Sequence, residues 1–193
     1  MESFYTLQGE GFFQGQAAYF IRLGGCDVGC VWCDVKESWE AGNHPQVSIK
    51  ELVLRANSFP SRIVVITGGE PLMYDMGELT NQLRAAGMKT HLETSAAYPL
   101  SGEWDWICVS PKKFKTARGE SLDIADELKV IVYHPSDLAW ATSFEDKVKP
   151  GCKLYLQPEW SKHKEVTPLI IEHIKKHPHW EISLQTHKFM DIP

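Results

Sequence analysis

The sequence has no apolar run approaching the roughly 18 residues that a membrane-spanning helix requires. It has no long basic run, and its formal net charge is −5, which argues against a nucleic-acid-binding surface. It shows no internal repeat, no low-complexity tract and no linker-like stretch. At 193 residues the expectation is one domain over 1–193, large enough to bury a real core. Met1-Glu2-Ser3-Phe4 reads as neither a signal nor a transit sequence. Cysteine is sparse, at five. Thiols without an evident pairing pattern fit a reducing, cytoplasmic setting.

What cysteine there is, is concentrated. Gly25-Cys26-Asp27-Val28-Gly29-Cys30-Val31-Trp32-Cys33-Asp34 places three of the five within eight residues, spaced C-x3-C-x2-C. For the sulfurs of Cys26, Cys30 and Cys33 to converge on one centre, the backbone has to curl. Gly25 and Gly29 provide the φ/ψ freedom for that. Three thiolates are one short of a closed zinc site, and an odd number of neighbours cannot pair off as disulfides. A 4Fe–4S cube held by three thiolates keeps one iron open to an outside ligand, an arrangement suited to chemistry more than to electron transfer alone. A zinc knuckle completed by Cys108, Cys152 or a histidine is the other reading of the spacing.

The chain around this loop alternates. Residues 4–16, with three glycines, read as a loop lying over something. Residues 17–23, 62–67, 89–94, 104–110, 127–133, 152–157 and 180–186 read as seven strands. Ser48-Ile49-Lys50-Glu51 is a capping box that opens a helix to about residue 58. Further helices are expected from Asp75 to near Gly87, over 136–146 and over 166–176. Such alternation implies parallel pairing with right-handed crossovers. The connections 95–103 and 111–126 are too short or irregular for full helices. The expected fold is therefore α/β, an incomplete, open TIM-like barrel of about six to seven mainly parallel strands with few helices.

Polar and special residues collect where these strands end. Gly68-Gly69-Glu70-Pro71 follows the second strand, Glu93-Thr94-Ser95 the third and Ser110-Pro111-Lys112 the fourth. Gln157-Pro158-Glu159-Trp160 and Gln185-Thr186-His187 follow the last two. In parallel barrels the carboxyl ends of the strands share the rim that carries the active site. Each motif alone is also what an ordinary turn contains. Cys108 and Cys152 lie in apolar strands and read as core. His44, His163, His173, His177 and His179 sit in polar or helical surface contexts and receive no role.

C-x3-C-x2-C with an aromatic before its last cysteine, together with the later Gly-Gly-Glu-Pro, resembles the radical S-adenosylmethionine (SAM) superfamily. The resemblance implies a 4Fe–4S cluster on Cys26, Cys30 and Cys33. SAM chelates its open iron there and is cleaved to methionine and a 5′-deoxyadenosyl radical. It implies SAM contacts at Trp32, Asp34, Gly68, Gly69 and Glu70, the last holding the SAM amino group. Further SAM contacts are implied at Glu93, Ser95, Ser110, Pro111, Lys112, Gln157, Pro158, Glu159 and Trp160.

Leu7-Gln8-Gly9-Glu10-Gly11, Arg22, Thr67 and Gln185-Thr186-His187-Lys188 near Pro193 narrow this further. Over essentially the whole chain they resemble the 7-carboxy-7-deazaguanine synthase family of the queuosine and 7-deazapurine pathway. That implies a lyase that contracts the ring of 6-carboxy-5,6,7,8-tetrahydropterin to 7-carboxy-7-deazaguanine with release of ammonia. It implies a reduced, dimeric barrel and an electron donor such as flavodoxin or ferredoxin. Leu7, Gln8, Gly9, Glu10, Arg22, Thr67, His187 and Pro193 then become substrate contacts, the last through a terminal carboxylate. One departure stands out. The family's Cys-Asp-Thr, whose threonine ligates Mg²⁺, is Cys33-Asp34-Val35 here. Valine offers a hard cation no oxygen, so the resemblance leaves the Mg²⁺ requirement in doubt. Ala96, where glycine is usual, is a milder departure. Another small radical SAM enzyme, such as a glycyl-radical activase, is the rival within the superfamily, and a zinc-stabilised binding module is the rival outside it.

Overall fold

A computed structural model describes all residues, 1–193. Eight strands form one sheet in sequence order: β1 (Glu2–Leu7), β2 (Ala17–Leu23), β3 (Ile63–Gly68), β4 (Lys89–Thr94), β5 (Trp106–Val109), β6 (Glu127–Val132), β7 (Lys153–Pro158) and β8 (Trp180–Ile182). From β2 to β8 every pairing is parallel; β1 alone runs antiparallel to β2, from Glu2 opposite Arg22 to Leu7 opposite Ala17. β1 and β8 are the two edges, so the barrel is open.

The helices are α1 (Ile49–Asn57), α2 (Gly77–Ala85), α3 (Gly119–Leu122), α4 (Ser136–Thr142), α5 (His163–Lys176) and α6 (Thr186–Met190). The capping box at α1 forms, with Ser48 Oγ accepting from Glu51 N at 3.2 Å. Asp75 Oδ1 accepts from Gly77 N at the start of α2. As expected, the 95–103 connection holds no helix, and 111–126 holds only the single turn of α3. No helix is long and apolar enough to cross a membrane.

Alternation along the strands divides the core from the site. On β6, Leu128, Val130 and Val132 join a cluster with Leu83, Leu92, Ile170 and Trp180 between sheet and helices. Lys129 and Ile131, from the alternate positions, line the barrel interior. β3 is apolar on both faces, with Val64, Val65 and Ile66 all buried, as expected of a parallel strand covered on both sides.

Five sequence expectations are corrected. Residues 4–16 are a loop only after Leu7, because Glu2–Leu7 forms an eighth strand. Its signal is weak because an edge strand needs only partial burial. Phe4 stacks on Phe20 and Tyr5 on Phe59 to hold it. The strand expected over 104–110 spans only Trp106–Val109, since Trp104 turns its indole N–H to the Ser101 carbonyl. The last strand stops at Ile182, and Thr186 already opens α6. The helix expected over 136–146 stops at Thr142, while that expected over 166–176 starts earlier, at His163.

Candidate active site

The cysteine loop leaves β2 and is stitched to its neighbours by backbone. Gly69 N donates to Leu23 O at 2.8 Å, Glu70 N to Gly25 O at 2.9 Å, and Gly25 N to Ser38 O at 2.6 Å. The curl is made where the glycines stand, with φ of 106° at Gly25 and 73° at Gly29. A Cβ on Gly69 would lie 2.1 Å from Gly25 O, so the cysteine loop and the Gly-Gly-Glu-Pro turn touch backbone to backbone.

Cys26, Cys30 and Cys33 are free thiols and all line one cavity of about 230 Å³. Burial pushes the Cys30 thiol up to about 11, with Lys112 opposing, and raises Cys26 as well. Iron binding therefore exchanges a proton at these positions. A cubic cluster fits this donor set: three soft thiols on one loop, bordering a cavity that continues beyond them.

The rest of that cavity carries the groups expected for SAM. Trp32, Asp34, Gly68, Gly69, Glu70, Glu93 and Ser95 line it, as do Ser110, Lys112, Gln157, Pro158, Glu159 and Trp160. Pro111 does not; it borders a neighbouring cavity with Trp32 and Phe114. Lys112 Nζ is held by Ser110 O at 2.6 Å and stands 5.8 Å above the Trp32 ring. Glu159 caps the turn after β7, accepting from Ser161 Oγ at 2.6 Å. Glu70, expected to meet an ammonium, is instead 1% exposed and filled by internal donors. Its carboxylate accepts from Leu72 N at 3.1 Å, Thr94 Oγ1 at 2.5 Å, and Ser95 N and Oγ at 2.8 and 2.5 Å.

A second cavity, of about 200 Å³, collects all of the expected substrate contacts. Leu7, Gln8, Gly9 and Glu10 line it from the loop after β1, Arg22 and Thr67 from β2 and β3, and His187 and Pro193 from the C-terminal segment. Glu10, Asp34, Val35, Thr67, Glu93 and Gln185 border both cavities, so the two spaces meet. Gly9 fits against His187 so closely that a Cβ would stand 2.2 Å from Nδ1. Arg22 is paired to Glu2 at 2.6 Å and lies over the Phe4 ring. Asp34 is paired to Lys188 at 2.6 Å. Val35 presents no oxygen where the cavities join.

Sequence reading assigned no role to three members of this region. Lys129, 4% exposed, joins Glu10 at 2.6 Å and Glu93 at 2.9 Å. Gln185 Nε2 donates to Glu10 Oε1 at 2.9 Å. Glu127 lies below, its Oε2 accepting from Phe12 N and Trp106 Nε1 at 3.2 Å. The available signal was Lys129 itself, a lysine flanked by apolar residues in a strand that otherwise reads as buried.

An open parallel barrel whose C-terminal rim holds this three-thiol loop and Gly-Gly-Glu-Pro turn defines the radical SAM class, and residues 20–112 match the model of the Radical SAM superfamily. The full chain is 52% identical to 7-carboxy-7-deazaguanine synthase of Flavobacterium psychrophilum, over 100% of this chain and 91% of the relative. It is 47% identical to the Synechocystis protein of that name, over 99% and 91%. The crystal structure of QueE from Escherichia coli superposes with a TM-score of 0.82 at 32% identity, covering 95% of this chain and 91% of that one. The chain belongs to the 7-carboxy-7-deazaguanine synthase family. Membership removes the zinc-module and activase readings of the cysteine spacing.

Proposed function

We propose that this chain forms 7-carboxy-7-deazaguanine, the product its relatives are named for, by radical ring contraction of 6-carboxy-5,6,7,8-tetrahydropterin with release of ammonia. The observation that carries this reading is the pair of adjoining cavities. One is lined by the three cysteines and the SAM-type polar groups; the other by all eight expected substrate contacts.

When bound, the cluster and SAM would supply radical hydrogen-abstraction chemistry at the substrate. The chain's own residues bind, orient and exclude water. Cys26, Cys30 and Cys33 hold the cluster. Gly68 and Gly69 line the SAM cavity and, lacking side chains, let their turn pack directly on the backbone of Leu23 and Gly25, and Ser95, Ser110, Lys112 and Gln157 face the polar groups of SAM. In the adjoining cavity Gln8 and Glu10 meet the donor and acceptor edge of the pterin. Arg22 exchanges Glu2 for the substrate carboxylate, and Thr67 and His187 close the ring in. Glu70 acts by holding Thr94 and Ser95 in place.

All of 1–193 works as one radical SAM domain in a homodimer, a reading supported by exposed apolar side chains at Ile171, Phe189 and Met190. A one-electron donor such as flavodoxin or ferredoxin feeds the cluster, and five free cysteines suit a reducing cytoplasm. With Val35 at the junction, the enzyme depends little on Mg²⁺. The test is an anaerobic assay of reconstituted protein with SAM, reductant and 6-carboxytetrahydropterin, with and without Mg²⁺. Formation of 7-carboxy-7-deazaguanine in both conditions is the expected result. Cleavage of SAM to 5′-deoxyadenosine without that product would overturn the substrate assignment and keep the radical SAM chemistry.

A further inference from the structure

A lysine inside a barrel is costly unless its charge is fully paired. Lys129 sits in mid-β6 with its side chain 4% exposed, and its ammonium is shared between two carboxylates from different parts of the chain. Glu10 comes from the loop after β1 and accepts at 2.6 Å; Glu93 comes from β4 and accepts at 2.9 Å. Gln185 Nε2 fixes the other oxygen of Glu10 at 2.9 Å. Both carboxylates keep about a fifth of their side-chain surface open, 18% and 20%. Both border the cofactor cavity and the substrate cavity. Lys129 itself lies beneath them, lining only the first.

We propose that Lys129 is a positioning residue for substrate, fixing Glu10 and Glu93 as a charged pair of acceptors for the N–H groups of the substrate ring. The proposal rests on the reading that Glu10 meets the pterin edge. A heterocycle with ring and exocyclic N–H donors needs acceptors in a fixed plane, and one shared ammonium orients two carboxylates together. The surroundings agree. Burial would push Glu10 up, but Lys129 outweighs it through charge and hydrogen bond, and with Gln185 holds it at about 2. Glu127, also facing Lys129, is raised by burial to about 7. Cys108 on β5 is kept a thiol by its burial. Lys112 adds positive charge to the same interior, and His187 faces Glu10 from α6. The ammonium thus has two firm anionic partners, and both open to the ligand.

The test is anaerobic calorimetric titration of 6-carboxytetrahydropterin into cluster-loaded and cluster-free protein, for wild type, Lys129→Met, Lys129→Arg and Glu10→Gln, from pH 6 to 8. In Lys129→Met the substrate affinity falls roughly 10- to 100-fold at pH 7, as for loss of a charge-assisted contact. The deficit deepens toward pH 6, because without the lysine burial raises the Glu10 carboxyl and it protonates. Wild-type affinity carries no such acid limb. Iron content stays at the wild-type value. Lys129→Arg keeps the charge, so it retains the flat profile while its larger fork shifts the carboxylates and weakens binding. A Lys129→Met loss that is equal at every pH, or that takes iron content with it, overturns the proposal in favour of a merely structural lysine. If Glu10→Gln weakens substrate and neither Lys129 variant does, the proposal fails alone. If Glu10→Gln leaves affinity unchanged, the underlying reading of Glu10 fails and the proposal with it.

Discussion

Thr94 Oγ1 donates a 2.5 Å hydrogen bond to Glu70 Oε1, tying the turn after β3 to the end of β4 beneath the cofactor cavity. With Ser95 N and Oγ on Oε2, it makes Glu70 a buried junction between two rim loops. Glu70→Ala strands these donors in a buried site, where each unsatisfied group costs about 1–3 kcal/mol. The expected loss is about 2–5 kcal/mol in urea denaturation of the cluster-free protein. Retention of wild-type stability would show that the junction is not structural.

The three loop cysteines separate cleanly from Cys108 and Cys152 by expected effect. Cys26→Ala, Cys30→Ala or Cys33→Ala each abolishes reconstitution, read as loss of iron and of visible absorbance. Cys108→Ala and Cys152→Ala keep iron and SAM cleavage, although Cys108, 1% exposed, loses about 1 kcal/mol of stability on truncation. Loss of iron in Cys108→Ala would mean that the cluster draws on a fourth thiolate.

Glu127 gives a pH dependence with a defined sign. Burial raises its folded pKa to about 7, above the ordinary value of about 4.3. The folded state therefore binds more protons between those values. Its contribution is fully present below the ordinary carboxylate pKa and is lost as pH rises through about 7. Glu127→Gln, which cannot ionise, becomes more stable relative to wild type between pH 5 and pH 8. Denaturation of both proteins at the two pH values checks this; a constant difference would place the Glu127 pKa near its ordinary value.

Val35 borders both cavities and offers no oxygen. Val35→Thr restores one and is expected to make turnover respond to Mg²⁺ by several-fold or more, against a small response in wild type. Steady-state assays of chelator-treated protein with added Mg²⁺ decide it. A strong wild-type requirement would mean that Asp34, substrate and water suffice to hold the ion.

How much of this was legible follows from residue chemistry. The β3 and β6 runs, the capping box at Ser48 and the missing helices after β4 and β5 were readable because burial and capping are written in local pattern. The cysteine loop and Gly-Gly-Glu-Pro were readable because metal and backbone contacts demand particular residues at fixed spacing. β1 was not, because an antiparallel edge strand leaves its period half-expressed and takes its stability from Phe20 and Phe59 across the sheet. Gln185 and Lys129 were not read as site residues, because their partner Glu10 lies 175 and 119 positions away.

The sequence by itself determined the donor set, the mainly parallel, open-barrel class of fold and the family, since these depend on residue type and local spacing. Only the tertiary structure decided which polar groups answer one another. It turned Glu70 inward onto Thr94 and Ser95, set Lys129 between Glu10 and Glu93, and raised Glu127 by burying it. Charge and hydrogen-bond partnership depend on distance and on exclusion of water, and both are fixed only when the strands close around a common interior.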